Sequence, residues 1–415
     1  MSLKKKEDFW DFNQTEFSSP LHKLHSYPAT FPPRLAQEII KKYSKKNDLI
    51  LDIFSGSGTS LLESNLLSRN CIGQDLNPLA NLISKVKTSK LRISKLNEIK
   101  LNLIQKISIV DANEKVNRDH FWFESETLST LKEIKSQIDS IHNKKYKDFF
   151  LISLSQIIRR VSKLNHHGFK MHRNKNKKTD FKSFEIVHDF FFRQVDKNIK
   201  AFEKEKNSTG SDVKIFTHDS RLFNQKIKKK SVDLILTSPP YGDSKSTVAY
   251  GEFVKLSSEI LQIKKNKTDL DHILLGGSKK QNNQIFENSN TLTESLSKLT
   301  CQLNKEPKNY NLKSMINKLC NFYDDLNLSL SHCSQYIKNK KYLCIVIARR
   351  KVKGVVFKND EIVEDFLKTS GFILVEGHSR KILNKRMPHK VNASNIPGIN
   401  SPTMLNEEIL IFRKN

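Results

Sequence analysis

The chain has no apolar run approaching the roughly 20 residues that cross a bilayer, and its first residues lack the apolar stretch of a secretory signal. Its five cysteines are scattered, so they predict neither a disulfide framework nor a CxxC metal site. These absences predict a soluble, cytoplasmic protein with no membrane partner and no metal. With 415 residues, 37% of them hydrophobic, the chain is long enough for an elaborated domain, or two to three domains, with a substantial core.

Negative charge is also scarce. The chain has 44 Asp and Glu residues against 72 Lys and Arg residues, which gives a formal net charge of +28. A surface this basic attracts polyanions, above all the phosphates of a nucleic acid. AT-rich coding would also enrich Lys, Asn, Ile and Phe, so charge by itself favours a polyanion partner without establishing one.

Apolar, β-branched segments bounded by turn residues predict seven strands. They are Leu49–Phe54, Cys71–Leu76, Val213–His218, Val232–Thr237, Tyr342–Ala348, Phe372–Glu376 and Glu408–Arg413. Helices are predicted between them, among them Arg34–Tyr43 after two prolines, Thr59–Leu67 after a glycine loop, and one that opens at Asn77-Pro78. This alternation predicts an α/β fold with a doubly wound, mostly parallel seven-stranded sheet.

Two connections between predicted strands are far longer than ordinary loops, about 130 residues after the second strand and about 100 after the fourth. The first long insertion has helical patterns at Leu128–Ile141 and Phe149–Val161 and then a polar, basic stretch. The second, Lys264–Lys308, is rich in Asn, Ser and Lys and is predicted to be polar and partly mobile.

A glycine-containing loop follows the first predicted strand. Gly56 and Gly58 allow the backbone to approach a ligand closely and to point N–H groups at it from the start of a helix. Asp75 ends the next strand, where a carboxylate can accept hydrogen bonds from ribose hydroxyls, although it could instead cap the helix at Asn77. The loop lacks the Gly-Lys-Ser/Thr ending of a P-loop and a third glycine, which disfavours ATP hydrolysis and NAD. Together, loop and acid predict a nucleoside-containing cofactor.

A second motif, Ser238-Pro239-Pro240-Tyr241, ends the fourth predicted strand. Two prolines cannot continue a central strand, so they impose a rigid turn at the sheet edge where α/β proteins bind ligands. The turn suits a planar base, because the ring can stack on it while the Ser238 hydroxyl and the Pro239 carbonyl accept the hydrogens of an exocyclic amine. A proline turn with a packed tyrosine is the alternative.

Phe54–Gly58 followed by Ser238–Tyr241 resembles the amino-methylating DNA methyltransferases, which use S-adenosylmethionine, and Ser before Pro-Pro-Tyr is typical of their cytosine-N4 members. His25–Arg34 resembles the segment that contacts the methionine part of the cofactor, and His218–Arg221 the segment whose acid lies near the adenine. Other similar segments are Tyr241–Gly251, Asn384–Pro388 and Thr403-Met404. Many cytosine-N4 enzymes carry the two motifs in the reverse order, which leaves the position of the target-recognition region open.

The resemblance implies two sets of site residues. Asp52, Phe54, Gly56, Gly58, Thr59, Asp75, Asp219 and Thr30 would bind the cofactor, and Ser238, Pro239, Pro240 and Tyr241 would act on the base. It also implies that a cytosine flips out of duplex DNA and receives the methyl group directly, in a restriction-modification system with a cognate endonuclease. Cytosine-C5 chemistry is disfavoured because the sequence contains no Pro-Cys.

Several residues have two interpretations. Asp52 could reach the cofactor's ammonium or hold the loop backbone, and Asp243 could accept a proton or stabilise a turn. The group His120–Phe123 is expected to pack in the core rather than to contact a base. His166-His167 with His172 is not a convincing metal site and is expected to be a solvated or phosphate-contacting loop. The basic candidates for DNA contact are Lys170, Arg173, Lys175, Lys177 and Lys178.

The predicted strands, the two motifs and the two long insertions divide the chain into five segments. Residues 1–95 form the cofactor half of the core, 96–210 a largely helical insertion that is the candidate DNA-contacting region, 211–260 the catalytic half, 261–334 a polar insertion, and 335–415 the C-terminal strands.

Methylation of adenine N6 is the closest alternative, although those enzymes usually carry Asp or Asn in place of Ser238. RNA methylation and a non-catalytic nucleic-acid-binding protein are remoter alternatives. The recognition sequence and the oligomeric state are left open.

Overall fold

The computed structural model describes residues 10–12, 18–107, 121–165, 170–173, 183–205, 210–243, 247–263, 269–277, 288–304, 312–382, 390–392, 400–402 and 406–415. Its strands are Leu49–Asp52 (β1), Asn70–Asp75 (β2), Val213–Thr217 (β3), Val232–Thr237 (β4), Ile337–Ile347 (β5), Arg350–Val352 (β6), Val355–Phe357 (β7), Phe372–Lys381 (β8), Lys390–Asn392 (β9), Asn400–Pro402 (β10) and Asn406–Lys414 (β11).

Its helices are Pro33–Tyr43 (α1), Thr59–Leu66 (α2), Pro78–Lys87 (α3), Ile93–Lys106 (α4), Ser125–Asp139 (α5), Lys144–Val161 (α6), Phe184–Lys204 (α7), Tyr250–Ile260 (α8), Leu270–Ile273 (α9), Asn290–Leu303 (α10), Leu312–Tyr336 (α11) and Asn359–Thr369 (α12), with a 3-10 turn at Pro20–Lys23. None of these helices is long and apolar enough to cross a membrane.

The central sheet has seven strands in the order β3-β2-β1-β4-β5-β11-β8. The first five run parallel, and β11 runs antiparallel to both of its neighbours. From β1 the chain builds outward through β2 and β3 on one side and through β4 and β5 on the other. The strand order therefore reverses between β1 and β4, and a crevice opens there at the carboxyl ends of the strands.

Alternating side chains of the buried strands supply both faces of the sheet. Ile50 and Leu234 pack with helix α1 on one face, while Leu51 and Ile235 pack with helices α10, α11 and α12 on the other. A third cluster joins helices α3 to α8 and contains the buried Phe149, Phe150 and Phe191. The helical insertion is thus packed through α3 and α8, which flank the crevice.

All seven predicted strands of the central sheet are present, and the α/β fold is confirmed. Strand β5 starts at Ile337 rather than Tyr342, because helix α11 runs directly into it and the polar residues Lys338–Lys341 obscure the strand pattern. Strand β8 continues to Lys381 because it forms an edge of the sheet, where polar side chains are tolerated. The hairpin β6–β7, which turns through Gly354 at φ +88°, was not predicted.

The segment 261–334 differs from the polar insertion that its composition predicts. Helix α10 and most of α11 lie in it, and Leu292, Leu296, Leu299 and Leu303 of α10 are buried in the cluster that α10 forms with α11, α12 and strand β7. Their spacing of three to four residues is the pattern of an amphipathic helix. The overall polar composition of the segment gave no sign of this helix, whereas the hydrophobic periodicity of the leucines would have predicted it. In the first insertion, α5 and α6 match the predicted helices within a few residues at each end.

Candidate functional site

A cavity opens at the carboxyl ends of β1, β2 and β4. Most of the residues expected to bind a cofactor line it: Thr30, Asp52, Phe54, Gly56, Thr59, Asp75 and Asp219. Ser238 and Pro240 of the proline turn line the same cavity, whereas Gly58, Pro239 and Tyr241 do not. The two motifs, far apart in sequence, thus meet at the point where the strand order reverses.

The glycine loop depends on two left-handed backbone conformations. Gly56 has φ +48° and Gly58 has φ +78°. A Cβ atom at Gly58 would lie 2.5 Å from the Ser84 Oγ, and that hydroxyl donates a hydrogen bond of 2.9 Å to the Gly56 carbonyl. Gly58 therefore lets helix α3 approach the loop from behind, and Gly56 forms the surface towards the cavity.

Asp75 connects the loop to the next strand. Its carboxylate accepts hydrogen bonds from the Gly56 N–H at 2.9 Å and the Asn77 N–H at 2.7 Å, and burial raises its pKa. The side chain that caps helix α3 is Asn77, which accepts from the N–H groups of Leu79 and Ala80. A carboxylate has about four acceptor positions, so Asp75 can still accept hydrogen bonds from a ligand in the cavity.

Asp52 holds the loop backbone, one of the two roles expected of it. Its carboxylate accepts hydrogen bonds from the Phe54 N–H at 3.0 Å, from the Thr237 hydroxyl at 2.7 Å and from the Ser60 hydroxyl. Burial raises its pKa to about 6. Asp52 therefore joins β1, β4 and α2 at the floor of the cavity.

Two tyrosines that were not predicted as site residues form one wall of the cavity. The rings of Tyr27 and Tyr250 stack with centroids 6.0 Å apart, and the Asn77 side-chain amide donates to the Tyr27 hydroxyl at 2.9 Å. Both tyrosines line the cavity. Each lies inside a segment that carried the family resemblance, which was the available signal for them.

The proline turn is fixed to the neighbouring strands. The Ser238 hydroxyl donates to the Val346 carbonyl of β5 at 3.0 Å, and the Tyr241 hydroxyl donates to the Glu407 carboxylate of β11 at 2.9 Å. Burial, followed by the charge of Glu407, raises the pKa of Tyr241 well above its usual value. Since its proton is engaged with Val346, Ser238 can present oxygen lone pairs to a hydrogen-bond donor in the cavity.

Asp219, which lines the cavity, and Asp243, which follows the proline turn, are both paired with arginines. Arg221 binds Asp219 with nitrogen–oxygen distances down to 2.6 Å and also reaches Asp325 at 3.0 Å. Asp243 accepts from the buried Arg350 of β6 at 3.0 Å. The Asp243 pair holds the chain beyond the proline turn, which favours the structural interpretation of this residue.

The basic stretch of the first insertion begins next to helix α8. Its Met171 N–H donates to the Glu252 carboxylate of α8 at 2.7 Å, and the Arg173 guanidinium lies 4.8 Å from the centroid of the Phe121 ring. Lys170 and Arg173 are thereby near the helix whose first residue, Tyr250, lines the cavity. Lys175, Lys177 and Lys178 lie outside the described residues, as do His120, His166-His167 and the two C-terminal motif segments.

Phe121 and Phe123, next to this stretch, lie in different environments. Phe123 is buried in the helical cluster, as expected of a core residue. Phe121 is 57% exposed and is not a core residue, because its ring lies on the surface between Trp122 and Arg173. Among the residues that the structure describes, no group of three His, Cys, Asp or Glu side chains could hold a metal ion.

A buried lysine that was not predicted from the sequence lies behind the glycine loop. The Lys87 side chain is 2% exposed, its ammonium is 3.4 Å from the Ser57 hydroxyl, and burial lowers its pKa from 10.5 to about 7. A base with a lowered pKa binds fewer protons in the folded than in the unfolded chain, so it makes stability rise with pH between about 7 and 10.5.

Replacing Lys87 with methionine is therefore expected to stabilise the protein at pH 6, by ~2–5 kcal/mol, and to have little effect near pH 10. Denaturant unfolding at several pH values measures this. Lys85→Met, on the exposed face of the same helix, is the matched control and should change stability little at any pH. A Lys87→Met protein that is less stable at pH 6 would show that other groups compensate the buried charge.

Comparisons with known proteins agree with the geometry. The DNA methylase family that groups N6 and N4 methyltransferases matches residues 2–85. The type II methyltransferase M.MvaI of Kocuria varians is 30% identical over 428 positions, covering 97% of this chain and 93% of that protein. The type II methyltransferase M.MjaII of Methanocaldococcus jannaschii is 30% identical over 161 positions, covering 34% of this chain and 30% of that protein.

Among solved structures, the rRNA methyltransferase aviRa of Streptomyces viridochromogenes aligns over 96% of this chain and 91% of its own, with 10% identity and a TM-score of 0.33. A similarity this low carries no argument about function. The match to M.MvaI, in contrast, extends over both insertions as well as the sheet.

Proposed function

Because the chain belongs to the type II DNA methyltransferases, we propose that it transfers the methyl group of S-adenosylmethionine to the exocyclic N4 amine of a cytosine in duplex DNA. The observation that carries this proposal is that Gly56, Asp75 and Ser238 line one cavity. A cofactor and a base held there would lie side by side. Since a paired cytosine cannot enter such a cavity, the base would have to flip out of the duplex.

The residues around the glycine loop fit a nucleoside. Asp75 is already oriented by two backbone N–H groups and can accept hydrogen bonds from ribose hydroxyls, and Asp219 lies where an adenine amine could be bound. Thr30 and Phe54 also line the cavity. When bound, the cofactor would supply an electrophilic methyl group on a positively charged sulfur.

The proline turn would make the cytosine amine a better nucleophile. An exocyclic amine donates its lone pair into the ring, but Ser238 and the Pro239 carbonyl could each accept one of its two hydrogens and favour a pyramidal nitrogen. The lone pair would then attack the methyl carbon as the carbon–sulfur bond breaks, leaving a neutral thioether and releasing one amine proton to water. Positioning and electrostatics would supply most of the acceleration.

Tyr241 is our candidate for stacking on the flipped base, and because its side chain does not line the cavity as described, stacking would require the ring or the base to move. Its hydroxyl is held by Glu407, and a stacked base would gain roughly 1–3 kcal/mol.

Lys170 and Arg173, with Lys175, Lys177 and Lys178 in the same stretch, are our candidates for contacts to DNA phosphates, because the stretch begins beside helix α8. Such contacts would set affinity and salt dependence rather than sequence choice.

Incubating the protein with radiolabelled S-adenosylmethionine and either plasmid DNA or RNA tests the proposal. Label should enter DNA and not RNA, and single-molecule sequencing of DNA from expressing cells should find the modified base at one recognition sequence. If the enzyme protects DNA, that DNA should resist a restriction endonuclease that cuts the same sequence. Label in RNA alone, or in neither, would contradict the proposed function.

A further inference from the structure

A second hollow opens beside the cavity, behind the wall that Tyr27 and Tyr250 form. It is lined by residues that include Ser26, Gln156, Arg159, Arg160, Phe253 and Ser257. Phe253 packs edge-on against Tyr27 with ring centroids 6.1 Å apart. The two hollows are therefore neighbours that share an aromatic wall.

Two guanidinium groups are held at this hollow by aromatic rings. The Arg159 guanidinium lies 4.8 Å from the centroid of the Phe253 ring and donates to the Phe253 carbonyl at 3.2 Å. The Arg160 guanidinium lies 3.8 Å from the centroid of the Phe190 ring. Both groups are held in place before any ligand binds, which lowers the entropic cost of using them for recognition.

The rest of the lining adds polarity but no negative charge. Among the described residues that line the hollow none is acidic, although Glu252, which directly precedes Phe253 on helix α8 and accepts from the Met171 N–H, acts electrostatically on Arg159. His25 donates from Nδ1 to the Ser26 carbonyl at 2.6 Å, and burial lowers its pKa to about 4, so it is neutral at pH 7. The hollow thus carries the charge of two arginines, together with hydroxyl and amide groups.

We propose that this hollow binds a phosphate group, and that the group is a backbone phosphodiester of the DNA strand that carries the target base. Paired N–H donors of a guanidinium match two phosphate oxygens, which suits Arg159 and Arg160 to this ligand. The shared wall puts the hollow one aromatic ring away from the cavity, so a flipped nucleotide and a neighbouring phosphate could be bound together. The assignment to DNA rests on the proposed function, whereas the phosphate chemistry does not.

The first test uses Arg160→Gln, because Arg160 is exposed and its replacement leaves the core intact. Binding of the full-length protein to a mixed-sequence duplex is measured by fluorescence anisotropy between about 50 and 200 mM salt. The variant should bind roughly tenfold more weakly at the lower salt concentration, and the slope of log K against log salt should fall by about 0.9. Arg193→Gln on helix α7, which removes the same charge from an exposed ion pair with Asp189, should leave the slope unchanged.

A second test locates the phosphate. Once the recognition sequence has been mapped, single phosphates on either side of the target base are replaced by neutral methylphosphonates. One replacement should weaken binding of the unaltered protein and have no further effect on Arg160→Gln. The inference would be overturned if Arg160→Gln left the slope of log K against log salt unchanged and no methylphosphonate replacement lost its effect in that variant. If the protein still methylated DNA, the proposed function would stand. If inorganic phosphate weakens DNA binding by the unaltered protein but not by Arg160→Gln, and no methylphosphonate replacement loses its effect in that variant, the hollow binds free phosphate and the assignment to DNA is wrong.

Discussion

Replacing Ser238 with alanine is expected to lower kcat for methyl transfer by roughly 10²–10³-fold. The variant loses the oxygen that would accept one hydrogen of the target amine, an interaction needed most when the nitrogen becomes pyramidal in the transition state. The affinity for S-adenosylmethionine should change little, because the cofactor contacts proposed for the glycine loop and for Asp75 remain. Single-turnover kinetics with labelled cofactor separate the two quantities.

The control for this prediction lies at the opposite end of the same strand. Ser231 precedes β4, is half-buried and donates to the Lys228 carbonyl at 2.6 Å, far from the cavity. Ser231→Ala should retain full activity. Ser238→Ala also leaves the Val346 carbonyl without its hydrogen-bond donor, which costs about 1 kcal/mol, so thermal unfolding should show only a small loss of stability. A Ser238→Ala protein with normal kcat would remove Ser238 from the mechanism.

Replacing Asp75 with alanine is expected to weaken the binding of S-adenosylmethionine by roughly 10- to 100-fold, because hydrogen bonds to a charged group contribute about 1.5–3 kcal/mol. The loss has two causes. The variant lacks the acceptor for the ribose hydroxyls, and it also releases the Gly56 N–H that shapes the loop. Isothermal titration with the cofactor measures the effect directly.

Asp75→Asn separates these causes, because an amide oxygen can still accept from one backbone N–H, and its effect should be intermediate. Asp212→Ala provides the matched control, since this exposed carboxylate precedes β3 and pairs with Lys214 at the opposite edge of the sheet. It should bind the cofactor normally. Normal binding by Asp75→Ala would mean that the nucleoside lies elsewhere in the cavity.

The sequence was sufficient to predict the strands of the sheet and the residues at their carboxyl ends. Strand β4 is buried on both faces and is apolar over Leu234–Leu236, and motif residues that end parallel strands must meet at one edge. Asp52 and Asp75, which end β1 and β2, could therefore be placed in advance, whereas Thr30 precedes helix α1 and was proposed from the family resemblance. Gly58 and Tyr241 were also identified, but Gly58 contacts helix α3 and Tyr241 contacts Glu407.

What could not be predicted depends on contacts between distant segments. Nothing local shows that Tyr27 stacks on Tyr250, that Arg350 pairs with Asp243, or that Lys87 is buried behind the loop. Whether a lysine is solvated or buried is decided by the helices that pack over it, and the packing of the insertions has no repeating pattern to read. Helix α10 was missed for a different reason, since its leucines have helical spacing within a polar composition.

The identity of the methylated base tests the central claim most directly. Duplex DNA that carries the mapped recognition sequence is incubated with the purified protein and methyl-labelled S-adenosylmethionine, digested to nucleosides and analysed by mass spectrometry, with Ser238→Ala as the parallel reaction. We expect labelled N4-methylcytosine from the unaltered protein and almost none from the variant. Labelled N6-methyladenine as the sole product would contradict the assignment of cytosine to the Ser238 turn, and an unlabelled digest would contradict methyl transfer itself.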